Sequence, residues 1–228
     1  IKLDLRTTNP AEAFNVSDAG GVEQSRSRAL SLEELEQAFQ CFRDNHNQFT
    51  RDNYLATALL LALAVRKGEL ISAKWEEFNF DEQIWHIPQE RSKTGRAISV
   101  PLSEVAINWL KELEIRAYGS EYVFPNRRAS KRFGHISHDT INHAIQKLFR
   151  QEKMPVDHFT VHDLRRTCRS LLASNGVAGH VAERCLNHKL KGVEGIYDRY
   201  DYLEERREAL NQISELLAPI VDISVRYT

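Results

Sequence analysis

The stretch "EGIYDRYDYLEERR" near the C-terminus holds three tyrosines within six positions: Tyr197, Tyr200 and Tyr202. A tyrosine oxygen can act as a nucleophile, but a phenol has an ordinary pKa of about 10 and attacks weakly near neutral pH. It therefore needs neighbouring positive charges that favour loss of its proton. The rest of the chain decides whether one of these tyrosines does chemistry or all three simply pack.

Candidate cationic groups occur at four separate places in the chain. His162 and Arg165 are three residues apart in "FTVHDLRRTCRS", a spacing that places both on one face of a helix. Arg166 and Arg169 form a second pair of the same kind. The remaining candidates are Arg66 after an apolar run, Lys93 in "RSKTGR" and His188 nine residues before Tyr197. Each alone has an ordinary interpretation, such as a helix-end charge or a solvated loop lysine, and only their combination indicates a site.

Charge is distributed unevenly along this 228-residue chain, although its net charge is only −1. Residues 121–191 hold 13 Lys and Arg against 6 Asp and Glu, a local charge of +7, which leaves −8 for the remainder. A basic segment of this kind is typical of a surface that contacts phosphates. A solvated helical surface explains the charge equally well, so charge alone does not choose between the two.

Composition favours an ordinary globular protein. The longest apolar run, residues 54–65, is too short to span a bilayer, and the N-terminus lacks the apolar core of a signal peptide. Cys41, Cys168 and Cys185 are an odd number without CxxC spacing, which indicates reduced thiols. We therefore expect a cytoplasmic protein without a disulfide framework or a zinc knuckle.

The patterns predict a mainly helical domain with a small three-stranded antiparallel sheet, an α+β fold. Ser31 and Glu34 form a capping box that begins the first helix, and the apolar run predicts a second, buried helix. Three short strands are predicted in "AKWEEFNF", "QIWHIP" and "RAISVPL", with Gly95 at the bend between the last two. Further helices are predicted near 103–116, 137–151, 162–174, 178–187 and 202–217.

Domain boundaries follow from the same patterns. Residues 1–28 are polar, contain "NPAE" and "DAGG" and show no sustained period, which predicts a linker or tail. Residues 29–228 are predicted to form one domain that includes a C-terminal helix and tail. That helix, "LEERREALNQISELLAPIV", is amphipathic, so it can pack on its own core or on a neighbouring copy.

Several segments together resemble a known family. The order "AVRKGELISAKWEEFNFD", "KTGRAISVPLS", "HDLRRT" and "LNHK", with a tyrosine nine residues after the last histidine, is similar to the successive motifs of the tyrosine recombinases, the phage integrase family. The resemblance covers residues 30–217. The segments "NPAE", "LSLEEL" and "YDRYDYLEERR" are most similar to integrases of phages and genomic islands.

The resemblance implies catalytic roles for Arg66, Lys93, His162, Arg165, His188 and Tyr197. Tyr197 falls at the nucleophile position, and Tyr200 is the reserve candidate. Val65 is a departure, because a glycine often precedes the first catalytic arginine in the family. The implied reaction is cleavage and rejoining of DNA through a 3′-phosphotyrosine. It requires neither metal nor cofactor, because the two arginines supply the positive charge.

The same resemblance implies partners. These are double-stranded DNA at attachment sites, a homotetramer of the full-length protein on a synapse, and an accessory excision factor or host DNA-bending factor. It also implies a bacterial, nucleoid-associated protein without membrane contact, whose N-terminal DNA-binding domain would precede this chain. Two alternatives stay open: a type IB topoisomerase-like relaxing enzyme, and a catalytically inactive DNA-binding module derived from a recombinase.

Two further hypotheses concern ligands. Phosphate contacts are predicted for a set of basic residues: Arg127, Arg128, Lys131, Arg132, Arg166 and Arg169. The histidines of "GHISHDTINH" raise the rival hypothesis of a metal site, but they lack both the i, i+4 spacing and the cysteine partners typical of zinc. We therefore predict no metal site. Trp75 and Trp85 are predicted to lie in the core.

Overall fold

The computed structural model describes residues 28–127, 134–188 and 200–222. Within these ranges the chain forms eight α-helices and a small three-stranded antiparallel sheet, which confirms the predicted fold class. The helices are α1 (Leu32–Asp44), α2 (Arg51–Leu63), α3 (Lys67–Ile71), α4 (Glu104–Ala117), α5 (Thr140–Arg150), α6 (Val161–Ser174), α7 (Gly179–Cys185) and α8 (Leu203–Val221). A 3₁₀ helix spans Trp75–Glu77, and the strands are β1 (Phe78–Asn79), β2 (Ile84–Ile87) and β3 (Ile98–Pro101).

Helix α1 begins where the sequence predicts. The Ser31 hydroxyl accepts a hydrogen bond from the Glu34 amide at 3.1 Å, and the Glu34 carboxylate accepts one from the Ser31 amide at 2.9 Å. The predicted tail, residues 1–28, lies outside the described residues apart from Arg28, whose guanidinium pairs with Glu34. No helix in the described part of the chain is long and apolar enough to cross a bilayer.

Helix α2 is the centre of the fold. It is apolar on all sides and every residue from 53 to 63 is buried, because α4, α5, α6 and α8 pack around it. It begins at Arg51 because the Thr50 hydroxyl accepts a hydrogen bond from the Asn53 amide at 3.4 Å. It ends at Ala64, whose φ of 53° is left-handed and stops the helix. The end of this buried helix therefore fixes the position of the residues that follow it.

The sheet has the order β1–β2–β3, with both pairs antiparallel. The first predicted strand forms only over Phe78–Asn79, because residues 73–75 bond to the segment at 121–123 instead of the sheet. The Trp75 amide donates to the carbonyl of Glu121, and the Val123 amide donates to that of Ala73, both at 3.0 Å. Trp85 is fully buried, as predicted, whereas Trp75 is only half-buried.

Helix α8 packs on the core of its own chain, which is one of the two arrangements expected for this segment. Leu210, Ile213 and Leu217 are fully buried, and burying each such side chain stabilises the fold by about 1.5–3 kcal/mol. The helix extends four residues past the predicted end at 217. Its last turn is held by neighbours, since the Tyr54 hydroxyl donates to the carbonyl of Val221 at 2.9 Å.

Candidate active site

An open pocket of about 440 Å³ lies beside the end of α2, the start of α6 and the β2–β3 turn. Its lining includes four of the six predicted catalytic side chains: Arg66, Lys93, His162 and Arg165. These residues come from three distant segments of the chain, and only the fold brings them together. The pocket is therefore a cationic site of the kind that the motifs predict.

Arg66 is placed by the end of one helix and the start of the next. After the left-handed Ala64 the chain turns, and Arg66 stands at the N-cap of α3. The Glu69 carboxylate accepts hydrogen bonds from the Arg66 amide at 2.9 Å and from its Nη1 at 3.2 Å. Glu69 is only 4% exposed. Sequence reasoning missed Glu69, although its i, i+3 spacing from Arg66 was legible.

Arg165 is the most buried cation of the pocket, at 6% exposure. Its guanidinium donates to the backbone carbonyls of Ala64, at the end of α2, and Leu186, after α7. Burial, followed by the charge of Arg66, lowers its pKa to about 10, so it stays charged at neutral pH. Two of its five N–H groups serve these carbonyls, which leaves three for a phosphate.

The N-terminus of α6 fixes the face that His162 and Arg165 share. The fully buried Asp163 carboxylate accepts from the amide and hydroxyl of Thr160, both at 2.8 Å, and from Arg166 Nη1 at 2.6 Å. Burial opposes ionisation of this carboxyl, but the Thr160 and Arg166 bonds hold its pKa below the usual value. Asp163 therefore stabilises the first turn of the helix as the ionised N3 residue of a capping box with Thr160.

His162 lies at the rim of the pocket. Partial burial of the ring, together with the charges of Arg166 and Arg165, lowers its pKa from the ordinary value. The ring is consequently neutral at pH 7 and can accept a proton.

Lys93 is carried by the turn between β2 and β3, with Gly95 at a φ of +68° in the bend, as predicted. Its side chain is exposed, whereas its neighbour Ser92 is buried. The base of the turn is anchored by Arg91, which donates to the Glu69 carbonyl at 3.0 Å and forms an ion pair with Glu77. Sequence reasoning missed Arg91, because its partners are distant in sequence.

His188 follows α7 and lies outside the pocket lining. Its Nδ1 is 2.7 Å from Oε2 of Glu183, and the other oxygen of that carboxylate accepts from Arg169 Nε at 2.8 Å. Burial opposes ionisation of Glu183, but these two partners lower its pKa. With Nδ1 occupied by the carboxylate, Nε2 is the ring atom left for another ligand. Glu183 was missed because its spacing from His188 does not follow a helix face.

The structure describes two of the three tyrosines, Tyr200 and Tyr202. Tyr197 lies outside the described residues. Tyr202 is half-buried before α8, and its ring packs on that of His180 at a centroid distance of 4.8 Å. Tyr200 is 61% exposed and contacts Tyr202 edge to face.

Three of the predicted phosphate contacts lie outside the described residues: Arg128, Lys131 and Arg132. The other three are each paired with a carboxylate. Arg127 pairs with Asp52 at 2.8 Å, Arg166 with Asp163 and Arg169 with Glu183. Arg127 is half exposed in this pair, so a phosphate could replace Asp52 at little cost. The DNA-contact hypothesis stays a prediction.

The histidines of the rival metal hypothesis make other contacts. His135 Nδ1 lies 2.8 Å from the carbonyl of Ile136, and the His135 ring meets that of His138 at 5.5 Å. In the described ranges no group of three or more His, Cys, Asp or Glu side chains is arranged to hold a metal ion. The three cysteines are free and buried, and burial raises the pKa of Cys168 and of Cys185 to about 12.

Comparison with known proteins places the chain in a family. Residues 28–204 match the model of the phage integrase family. The chain is 30% identical over 158 residues to the prophage integrase IntA of Escherichia coli strain K12, a match that covers 69% of this chain and 37% of that protein. The chain thus spans less than half the length of such curated relatives.

Solved structures share the fold. The Tn1549 transposon integrase in complex with a circular intermediate DNA has a TM-score of 0.63 at 14% identity, covering 77% of this chain and 62% of that one. A lambda integrase dimer bound to a COC′ core site has a TM-score of 0.55 at 21% identity, covering 75% and 62%. Because the family match covers most of the sequence and includes all of its catalytic candidates, the chain belongs to the phage integrase family.

Proposed function

We propose that this chain is the catalytic domain of a site-specific recombinase that cleaves and rejoins duplex DNA, with Tyr197 as the nucleophile. The observation that carries the proposal is the pocket, which gathers two guanidiniums, a neutral histidine and a lysine. The DNA complexes solved for the lambda and Tn1549 integrases support duplex DNA as the partner.

In the cleavage step the Tyr197 oxygen attacks phosphorus, and the bond to the 5′-oxygen breaks. A phosphodiester carries one negative charge, and a second develops in the five-coordinate transition state when the phenolic proton is lost. His162 accepts that proton, because its ring is neutral at working pH. Arg66 and Arg165 donate to the non-bridging oxygens, where the charge collects.

The 5′-oxygen leaves with a proton from Lys93, whose exposed stem lets the ammonium group reach it. When its ring is protonated on both nitrogens, His188 donates to a non-bridging oxygen through Nε2–H while Nδ1–H donates to Glu183. Rejoining is the same step reversed, since a 5′-hydroxyl attacks the phosphotyrosine and Tyr197 regains its proton. The bond energy stays in the covalent intermediate, so no nucleotide cofactor is consumed.

The finer parts of the proposal concern the whole protein. Integration or excision of a mobile element would need the longer protein assembled as a tetramer on two DNA sites. The basic residues at 127–132, with Arg166 and Arg169, would contact phosphates there, and an accessory factor would set the direction of recombination.

Covalent trapping tests the proposal. The chain is incubated in EDTA with nicked suicide duplexes whose core is randomised, and protein-linked DNA is recovered and sequenced. Mass spectrometry then locates the modified residue. We expect a phosphodiester on Tyr197 that is absent from Tyr197→Phe and retained in the matched variant Tyr200→Phe.

Other outcomes would redirect the assignment. An adduct on Tyr200 keeps the reaction and changes the nucleophile. Adducts spread over all core sequences, with relaxation of supercoiled plasmid, would favour the topoisomerase-like alternative. DNA binding without any adduct, also in a longer form of the protein comparable in length to its relatives, would favour the inactive binding module.

A further inference from the structure

Three consecutive residues after α7 each contact a different part of the site. The Leu186 carbonyl accepts from Arg165, and the His188 ring contacts the Glu183 carboxylate. Between them, Asn187 Nδ2 lies 3.2 Å from Thr94 Oγ1 and 3.5 Å from Ser92 Oγ, on the turn that carries Lys93. This tripeptide therefore joins α6, α7 and the lysine turn.

The backbone conformation at Asn187 limits the residues that can occupy this position, but it does not by itself require an asparagine side chain. Its φ of 48° is left-handed, a conformation that glycine adopts freely and asparagine tolerates. Its amide donates to the Arg184 carbonyl at 3.0 Å, a bond that glycine would make equally well. The side chain is thus dispensable for the helix end, and its hydrogen bonds go to the lysine turn.

The turn is built to be held at those two hydroxyls. Ser92 Oγ and Thr94 Oγ1 are 2.9 Å apart and share a hydrogen bond, so the Asn187 amide closes a small triangle. Ser92 is buried at the base of this triangle, while Lys93 projects from it into solvent. When the residues on either side of a flexible lysine are fixed, the position of its backbone is fixed too, and its side chain reaches out from a defined place.

We propose that Asn187 is a positioning residue that holds the Lys93 turn beside the pocket and couples it to the His188 segment. The part of this inference that concerns catalysis rests on the proposed role of Lys93 as proton donor. The tether itself is a property of the folded chain and is testable without DNA.

Hydrogen–deuterium exchange tests the tether. In Asn187→Gly we expect the amides of Ser92 and Gly95 to exchange several-fold faster than in the wild type, with α2 unchanged. Thr94→Val, which removes the hydroxyl at the other end, should have the same effect. The matched control is Gln83→Gly, which also replaces a left-handed residue, in the β1–β2 turn. Unchanged exchange in both tether variants would overturn the proposal.

A sulfur leaving group tests the coupling to Lys93. A thiol has a pKa of about 8.5, so a 5′-bridging sulfur leaves without needing a proton from the lysine. We expect Asn187→Gly to cleave ordinary DNA about tenfold more slowly than the wild type in a single turnover. On the sulfur-containing duplex, both Asn187→Gly and Lys93→Ala should cleave at nearly the wild-type rate. The duplex is one recovered from the randomised pool.

The outcomes separate the two proposals. If Asn187→Gly is equally slow on both duplexes, its role is merely structural and the inference is wrong. If the wild type cleaves neither duplex, the proposed function fails, while hydrogen exchange still decides the tether.

Discussion

The two sides of the pocket are held in different ways. On the arginine side, Arg165 is buried against backbone carbonyls and Arg66 is paired with the buried Glu69. On the proton-transfer side, Lys93 is exposed on a turn that is held by the side chains of Arg91 and Asn187. The first side is therefore part of the core, and the second is attached to it through side chains.

This difference follows from what each group is proposed to do. Stabilising charge in a transition state works best with donors that are already fixed, because none of the gain is then spent on reorganisation. A buried guanidinium also needs hydrogen-bond acceptors, because they offset the cost of its desolvation. A proton donor has to reach a leaving atom and regain its proton from water, which favours an exposed position.

Removal of the lysine should separate activity from stability most clearly. We expect Lys93→Ala to lower single-turnover cleavage by roughly 10²–10⁴-fold, the usual contribution of a general acid. Urea unfolding should be unchanged within about 0.5 kcal/mol, because the side chain is exposed. Lys111→Ala, an exposed lysine on α4, is the control. A large loss of stability in Lys93→Ala would contradict the distinction between the two sides.

Replacing the buried arginine should lower both the cleavage rate and the stability. We expect Arg165→Lys to lower cleavage by about 10²–10³-fold, because an ammonium cannot reproduce the planar fork. It should also lower the free energy of unfolding by about 1–3 kcal/mol, since buried carbonyls lose their donor. Arg150→Lys, exposed at the end of α5, is the control for urea unfolding and cleavage. Wild-type stability in Arg165→Lys would show that these carbonyl bonds are dispensable.

Replacing the carboxylate that pairs with Arg66 should have a smaller effect on the cleavage rate. A hydrogen bond to a charged group contributes about 1.5–3 kcal/mol, so we expect Glu69→Gln to lower cleavage by about 10–100-fold. The comparison is with Glu76→Gln, whose carboxylate is 78% exposed. Equal cleavage rates in the two variants would mean that Arg66 needs no support from Glu69.

The smallest effect should appear in the pH dependence. His162 must be neutral to accept a proton, and its lowered pKa places the acid limb of the cleavage rate below the ordinary histidine value of about 6.5. Arg166→Gln removes a positive charge and deprives Asp163 of its ion-pair partner, and both changes raise the His162 pKa. The limb in single-turnover rates should therefore move to higher pH, whereas Arg150→Gln should leave it in place. A limb that stays in place in Arg166→Gln would exclude His162 as the base.

The same group contributes to stability with a definite sign. Its folded-state pKa lies below the unfolded value, so the unfolded chain binds more protons in that range. This contribution to stability is complete above the unfolded pKa. It declines as the pH falls through about 6.5 towards the folded pKa.

Local patterns predicted most of the elements. The capping box at Ser31, the apolar run of α2 and the bend at Gly95 each depend on residues close together in sequence, and the structure places all three as predicted. The strand predicted in "AKWEEFNF" is confined to Phe78–Asn79, because residues 73–75 bond to residues 121–123, a segment distant in sequence. The four pocket residues were identifiable because their motifs occur in the family order. Their arrangement in three dimensions could not be predicted from the sequence.

The sequence by itself determined the chemical types at the site, the order of the motifs and the membership of the family. Only the tertiary structure decided what holds each group: Glu69 for Arg66, two carbonyls for Arg165, Glu183 for His188 and Asn187 for the Lys93 turn. The physical reason is range. Helix propensity and capping act over a few residues, whereas burial and the hydrogen bonds that burial demands depend on which distant segments the packed core brings into contact.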